Sequence, residues 1–138
     1  MNKYIYTLLL IVMMCFFGKG YATGVNSTEL GSGADASGNF ATSLGASSTA
    51  SGTFSTATGD SAFASGLRAT ATGNNANAAG ANSTASGYFS DSAGENSTAT
   101  GSLTRATRIN STATGSSAYA IGTNSTATGA SSPASGNS

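Results

Sequence analysis

Small and larger residues alternate between regularly spaced glycines along most of the chain. Glycine fills 16 of the 17 positions of a seven-residue grid from residue 24 to residue 136, and Arg108 is the exception. After each grid position the third and fifth residues are almost always Ser or Ala, whereas the fourth and sixth are larger and most often Thr. This alternation predicts a short β-strand whose small residues face inward. The glycine and the two residues after it predict a tight turn, in which glycine tolerates a positive φ.

A longer period of 14 residues lies within this grid. Every second unit has Thr at its fourth position, and the units between them vary there. The sequence therefore predicts an all-β, parallel β-roll of 14-residue coils, about eight in number, with two short strands per coil and a rise of ~4.8 Å. Equivalent residues should lie over one another: Phe40 over Phe54, Phe89 over Leu103, Asp91 over Arg105, and Asn82, Asn96, Asn110 and Asn124 in a ladder. If grid positions have a positive φ, Arg108 is strained, and we expect Arg108→Gly to stabilise the protein.

Two other structures are typical of such a sequence. A seven-residue period also describes a coiled coil, but no Leu or Ile seam is present, and each glycine would cost a helix ~1 kcal/mol. Disorder is the other alternative, because the repeats contain few large apolar residues. The strict register favours the β-roll.

The N-terminus has the layout of a secretory signal peptide. Lys3 precedes an apolar run from residue 4 to residue 17, and Gly20 and Ala22 are small residues at the expected cleavage site. We expect a signal peptide at residues 1–22 and a β-roll domain at residues 23–138, without a stalk or membrane anchor. A transmembrane anchor is the alternative, although the run is shorter than the ~20 residues of a spanning helix. Cys15 suggests a lipoprotein, but Met13 and Met14 are too large for that cleavage motif.

The composition of residues 23–138 argues against several functions. This segment contains no Cys or His and carries three Arg against five acidic residues, so its net charge is −2. We therefore expect no metal, no cofactor, no nucleic-acid partner and no membrane insertion after the signal is removed. The carboxylates are scattered and no general base is available to activate a hydroxyl, so we expect no catalytic residues.

The repeats resemble those of a known family. Asn96–Gly101 and Asn124–Gly129 both read Asn-Ser-Thr-Ala-Thr-Gly, and residues 117–122 read Ser-Ala-Tyr-Ala-Ile-Gly. They resemble the heads of YadA-like trimeric autotransporter adhesins over the whole segment after the signal. The resemblance implies a left-handed β-roll, a homotrimer, display at the outer membrane of a bacterial cell, and a role in virulence. It also implies adhesion to host matrix proteins such as collagen or to cell-surface proteins, and autoagglutination.

The chain differs from that family in two respects. A stalk and a β-barrel anchor normally follow the head, so we expect a fragment, a released protein, or a protein held at the surface by another. Family heads also direct Val and Ile towards the threefold axis, whereas Thr predominates at the matching positions here. We expect a weaker trimer or none, because less apolar area would be buried.

Two functional hypotheses remain. An adhesin head would use exposed large side chains as partner contacts, and the candidates are Phe63, Tyr88, Phe89, Leu103 and Tyr119. An ice-binding β-solenoid would instead use the repeated Thr face, which comprises Thr56, Thr58, Thr70, Thr72, Thr84, Thr98, Thr100, Thr112, Thr114, Thr126 and Thr128. The second hypothesis requires an exposed Thr face and the trimer would cover it, so the oligomeric state distinguishes the two.

Overall fold

The computed structural model describes residues 22–136, and the predicted signal peptide lies outside these residues except for Ala22. Residues 24–135 form eight stacked coils of 14 residues, which we number from coil 1 (24–37) to coil 8 (122–135). Strands in the described part of the chain pair in parallel, and this part contains no helix. The prediction of an all-β parallel roll with a 14-residue coil is confirmed.

One strand from each coil enters an eight-stranded sheet, which we call the Thr sheet. Its strands are β1 (Thr28–Leu30), β2 (Thr42–Leu44), β4 (Thr56–Thr58), β6 (Thr70–Thr72), β8 (Thr84–Ser86), β10 (Thr98–Thr100), β12 (Thr112–Thr114) and β14 (Thr126–Thr128). Each residue pairs with the residue 14 positions further along, as Thr98 does with Thr112. Identical side chains therefore form straight columns across the sheet.

The opposite side of the roll is a seven-stranded sheet, which we call the variable sheet. Its strands are β3 (Thr49–Ala50), β5 (Phe63–Ala64), β7 (Asn77–Ala78), β9 (Asp91–Ser92), β11 (Arg105–Ala106), β13 (Tyr119–Ala120) and β15 (Pro133–Ala134). In coil 1, Asp35 forms a single bridge with Thr49. The variable sheet thus follows the same register as the Thr sheet with shorter strands.

Small side chains fill the space between the two sheets. The eighteen buried apolar residues of the described chain are all Ala, and Thr104 is its largest fully buried side chain. Such residues allow the two sheets to approach closely, but each buried carbon contributes only about 0.8 kcal/mol. The roll therefore depends strongly on the continuous hydrogen-bond ladders between its coils.

Buried hydroxyl groups at the third position of a unit brace the turns. Ser97 and Ser125 each donate to the carbonyl oxygen three residues earlier at 2.6 Å, and Thr104 does so at 3.0 Å. The buried Oγ atoms of Ser55 and Ser83 have no partner among the described residues. The buried hydroxyl groups therefore differ in their hydrogen bonding, although they occupy the same position of the repeat.

The turns differ from the prediction in which residue has the positive φ. The second residue after each grid position is left-handed, with φ of 51–59° in the fifteen turns where it is not glycine. Grid glycines that follow the Thr sheet also have a positive φ, between 108° and 139°. Grid glycines that follow the variable sheet do not, but an added Cβ there would lie 2.0–2.2 Å from a carbonyl oxygen of the next coil. Glycine is needed at this second corner because two backbones come close together.

Arg108 stands at one of these close-approach corners, so the positive φ expected for it is wrong. At six equivalent corners the glycine N–H donates to the carbonyl 12 residues further along, as Gly94 does to Ala106. The N–H groups of Arg108 and of Gly122, one coil further along, instead donate to Ser111 Oγ and Ser125 Oγ, each at 3.2 Å. The backbone ladder is therefore altered both at Arg108 and at the glycine stacked on it.

Coil 1 carries a carboxylate in place of an inward-facing Ala. Glu29 is partly buried in β1, and its Oε1 accepts a hydrogen bond of 2.7 Å from the Ala36 N–H. In coil 2 the equivalent Ala50 N–H donates to Asp35 of the preceding coil. In coil 1 the Glu29 carboxylate thus accepts the backbone hydrogen bond that a preceding coil accepts elsewhere. An inward-facing charge of this kind also discourages the end of the sheet from pairing with another chain.

Candidate interaction surfaces

The roll presents two sheet faces and two edges to the solvent. The Phe/Asn edge is formed by the turns that lead into the Thr sheet, and it includes Phe40, Phe54, Arg68 and the predicted Asn ladder. The Tyr/Leu edge is formed by the turns that lead into the variable sheet, and it includes Asp60, Tyr88, Phe89 and Leu103. Because the two edges alternate along the chain, every coil contributes one turn to each.

The outer face of the Thr sheet carries two parallel columns of side chains. One column is Thr in all eight coils, and the other is Leu30 and Leu44 followed by Thr or Ser. No hydrogen bond within the described residues involves the hydroxyl groups of the predicted Thr face. These hydroxyls are therefore available to water or to a partner, and the face contains no charged residue.

The outer face of the variable sheet is chemically mixed. Phe63 and Tyr119 project from it with 42% and 38% of their surface exposed. Between them, Asp91 accepts a hydrogen bond of 2.9 Å from the Asn77 amide and forms an ion pair of 3.6 Å with Arg105. The predicted stacking of Asp91 and Arg105 is confirmed, although an exposed pair of this kind contributes little stability.

The Phe/Asn edge changes from aromatic to amide along its length. The Phe40 and Phe54 rings stack with centroids 5.0 Å apart and planes 7° apart, and the Arg68 guanidinium lies 5.9 Å from the Phe54 centroid. Four asparagines continue the column, and their amides bond from coil to coil: Asn82 to Asn96, Asn96 to Asn110, and Asn110 to Asn124, at 3.0–3.3 Å. The predicted aromatic stack and Asn ladder are both confirmed.

The Tyr/Leu edge has its large side chains in the middle coils. The Tyr88 and Phe89 rings meet edge to face with centroids 4.6 Å apart, and Leu103 occupies the position of Phe89 one coil further along. Nearer the N-terminus, the Asp60 carboxylate accepts a hydrogen bond of 2.9 Å from the Asn74 amide. The remaining positions of this edge are mainly Ser and Ala.

The five predicted contact residues are exposed, but the structure does not bring them together. Phe63 and Tyr119 lie on the variable sheet, whereas Tyr88, Phe89 and Leu103 lie on the Tyr/Leu edge. Sequence reasoning placed Phe40 over Phe54 but did not count them among the contact residues, nor Arg68 beside them. The signal was present, since all three are large residues at the second turn position, where Asn or Ser is usual.

Within residues 22–136, the acidic side chains form no group of three or more that could hold a metal ion. In the same residues there is no helix with the length and hydrophobicity needed to span a bilayer.

Comparison with known families accounts for this architecture. The family model described as the YadA head domain repeat, which spans two repeat copies, matches residues 22–48, 36–62, 64–90, 92–118 and 113–138. The chain belongs to the YadA head family. The matches extend over nearly all of this YadA-like head, and successive matches begin at intervals that are all multiples of seven residues. No curated protein matches the chain.

Proposed function

We propose that this YadA-like head is an exported, non-catalytic adhesin module. It is displayed at the bacterial surface, associates as a homotrimer, and binds an extracellular-matrix or cell-surface protein of a host. The observation that carries the proposal is the match to the YadA head repeat over almost the whole described chain. Heads of this family belong to trimeric adhesins, and the exposed faces and edges that residues 22–136 form are suited to surface contact.

The variable sheet is the best candidate for the host-facing surface. In the arrangement that the family resemblance implies, the Thr sheet faces the threefold axis and the variable sheet faces outward. Phe63 and Tyr119 are the aromatic residues on that outward face, and aromatic side chains dominate the energetics of many protein interfaces. The mixed residues around them, including Arg105 and Asp91, give this face a specific pattern that the Thr face lacks.

The test is retention of the purified, exported protein on immobilised collagen and fibronectin. We expect binding by the natural protein and at least a tenfold loss in the double variant Phe63→Thr/Tyr119→Thr, because aromatic contacts often contribute 2 kcal/mol or more, as an order of magnitude. Thr49→Asn, in the same column, is the matched control and should bind normally, since Asn already occupies that column at residue 77. Absence of retention on either matrix at micromolar concentration would contradict the proposal.

A second candidate function is supported by the free hydroxyls of the Thr sheet. Its two columns repeat at ~6.6 Å along each strand and ~4.8 Å between coils, which makes a flat and regular array. β-Branched side chains hold their hydroxyl and methyl groups in fixed positions, so the array is well ordered. A monomer would leave this face free to bind ice, whereas a trimer around it would not.

Thermal hysteresis measurements test this second candidate. The double variant Thr98→Leu/Thr112→Leu should abolish hysteresis if the Thr columns bind ice, and Thr49→Leu on the variable sheet should leave it unchanged. Hysteresis that persists in the double variant would eliminate the Thr face as an ice-binding surface. Light scattering on the same samples shows whether the active species is monomeric.

A further inference from the structure

Exposed apolar side chains are concentrated on the two edges of the roll. Of the twelve exposed large apolar residues in the described chain, eight lie in the turns and four on the sheet faces. The turn residues are Val25, Phe40, Phe54, Leu67 and Ile109 on the Phe/Asn edge, and Tyr88, Phe89 and Leu103 on the Tyr/Leu edge. Clusters of this kind on a soluble protein usually mark interaction sites. Both edges are therefore candidates for contact with another molecule.

Backbone strain at the same positions supports this interpretation. Phe40, Phe54, Arg68, Phe89 and Leu103 have φ of 51–59°, a region in which bulky residues are rare. Asn and Ser occupy most of the equivalent positions in other coils, and Asn is the better residue for this conformation. The fold thus does not require bulky residues here, and a bulky residue in this conformation destabilises the folded chain. Strain that the fold does not need is an indication of function.

The two edges are complementary in size, coil by coil. In coils 2 and 3 the Phe/Asn edge carries Phe40 and Phe54, and the Tyr/Leu edge has small residues, among them Ala46 and Ser61. In coil 5 the order is reversed, because the Tyr/Leu edge carries Tyr88 and Phe89 while the Phe/Asn edge has Ala81 and Asn82. In these coils a large side chain on one edge matches smaller ones at the same level of the other, whereas coils 4 and 6 have sizeable residues on both edges.

The edges are also complementary in charge. Arg68 belongs to coil 4, but its guanidinium lies over the Phe54 ring and so reaches towards the level of coil 3. Asp60 occupies the Tyr/Leu edge in coil 3 and is exposed, with only the Asn74 amide on its carboxylate. No acidic side chain within residues 22–136 forms an ion pair with Arg68. A second copy placed alongside at the same level would bring its Asp60 towards this guanidinium.

We propose that the Phe/Asn edge of one copy packs against the Tyr/Leu edge of the next copy, with equal coils at equal levels. Such a head-to-tail contact is heterologous, and repetition around an axis parallel to the roll closes a ring. The Thr sheets then line the inside of the ring, and specificity resides in the seams between copies. The inference rests on the proposed homotrimer for the number of copies, and it names the residues that form each seam.

Cross-linking between two single-cysteine variants tests the seam directly. Residues 23–138 contain no Cys, so Ile109→Cys and Ser116→Cys each introduce a unique thiol, on opposite edges of coil 7. The two variants, carrying different tags, are co-expressed with the natural N-terminus and treated with a short bismaleimide. We expect cross-linked dimers that contain both tags, and only monomers from either variant alone.

A control at a different level tests the register. Ala46→Cys lies on the Tyr/Leu edge of coil 2, so co-expression with Ile109→Cys should give no cross-link. Dimers from Ile109→Cys alone would show that like edges meet, and equal cross-linking to residues 46 and 116 would show that no register exists. Either result, or monomers throughout, would overturn the proposed seam.

Charge reversal gives an independent measurement. Arg68→Asp and Asp60→Arg should each weaken self-association by about tenfold, and the double variant should recover most of it, because the pair is restored with opposite polarity. Arg105→Gln on the variable sheet is the control and should associate normally. A double variant no better than the single variants would contradict the pairing of Arg68 with Asp60.

The outcomes for the seam and for the adhesin function are separable. If the variants cross-link but do not bind collagen or fibronectin, the result would support the seam and contradict the proposed host partner. If a monomer binds the matrix through Phe63 and Tyr119, the result would support the adhesin function and contradict the seam.

Discussion

Glycine is required at both corners of each coil because two backbones come close together, and at one corner it is also required by a positive φ. At the corner after the Thr sheet, glycines such as Gly59 have a φ of 108–139°, and an added Cβ at Gly59 would lie 2.6 Å from the Gly73 carbonyl oxygen. At the corner after the variable sheet the φ is ordinary, but a Cβ at Gly94 would lie 2.0 Å from the Arg108 carbonyl oxygen. A seven-residue grid of glycines does not distinguish these causes, because both produce the same residue. The effect of a substitution depends on which corner it affects.

Arg108→Gly should stabilise the protein by up to ~1 kcal/mol. The direction is the one expected from the sequence, but the reason is that removing the Cβ allows the Arg108 and Gly122 amides to rejoin the ladder between coils. The entropy of an added glycine in the unfolded chain offsets part of this gain. Thermal unfolding followed by circular dichroism measures the change. Gly94→Ala is the opposite control and should lower the melting temperature, and an Arg108→Gly variant that melts lower would refute the argument.

Buried serines at equivalent positions should respond differently to replacement by Ala. Ser97 donates to the Gly94 carbonyl at 2.6 Å and lies 2.7 Å from Ser92 Oγ, so Ser97→Ala should cost about 1 kcal/mol or more. Ser55 Oγ has no partner among the described residues, so Ser55→Ala should be neutral or stabilising by up to ~1 kcal/mol. Urea unfolding midpoints compare the two variants. Equal losses would mean that Ser55 Oγ is hydrogen-bonded in solution.

At the scale of strands and turns, the two halves of a coil are alike in sequence but different in structure. The Thr sheet uses three-residue strands and the variable sheet two-residue strands, although both arise from the same grid. The 14-residue period, the parallel register, the Asn ladder and the Phe40 stack could be predicted, since each follows from residues repeating at a fixed interval. The strained turn residues and the inward Glu29 cap could not, because φ and hydrogen-bond partners depend on neighbouring coils.

The candidate contact residues could likewise be predicted only in part from the repeat. Composition and spacing predicted that Phe63, Tyr119, Tyr88, Phe89 and Leu103 are exposed, and the structure confirms this. The glycine grid also places Tyr88, Phe89 and Leu103 in predicted turns, and Phe63 and Tyr119 in predicted strands, as the structure does. The grid did not predict that the Arg68 guanidinium lies over the Phe54 ring, because that contact depends on how the side chain leans towards the preceding coil. Whether these residues contact a partner stays a prediction.

At the scale of the whole molecule, the roll is a one-dimensional stack in which each coil contacts only its neighbours. An added coil should therefore preserve both faces and both edges, whereas an added half-coil should exchange them. A second copy of residues 66–79, inserted after Ala79, should fold and self-associate. A second copy of residues 66–72, inserted after Thr72, should retain β-structure but weaken self-association, because the variable sheet of the C-terminal coils would then face the axis in place of the Thr sheet.

Circular dichroism and light scattering on the two insertion variants check this expectation. The natural protein is the reference for both measurements. Self-association of the half-coil variant at the natural strength would show that the copies do not need the Thr sheet at the axis.

The register of the coils also has a genetic consequence. Asn96–Gly101, 110–115 and Asn124–Gly129 have the same sequence, one coil apart. A coil corresponds to a whole number of codons, so unequal recombination or replication slippage between such segments would add or remove whole coils without changing the reading frame. Each added or removed coil would change the length of the roll by ~4.8 Å, and the remaining residues would stay aligned in the same columns. Length in this molecule can therefore vary among descendants of one gene while its surfaces are inherited unchanged.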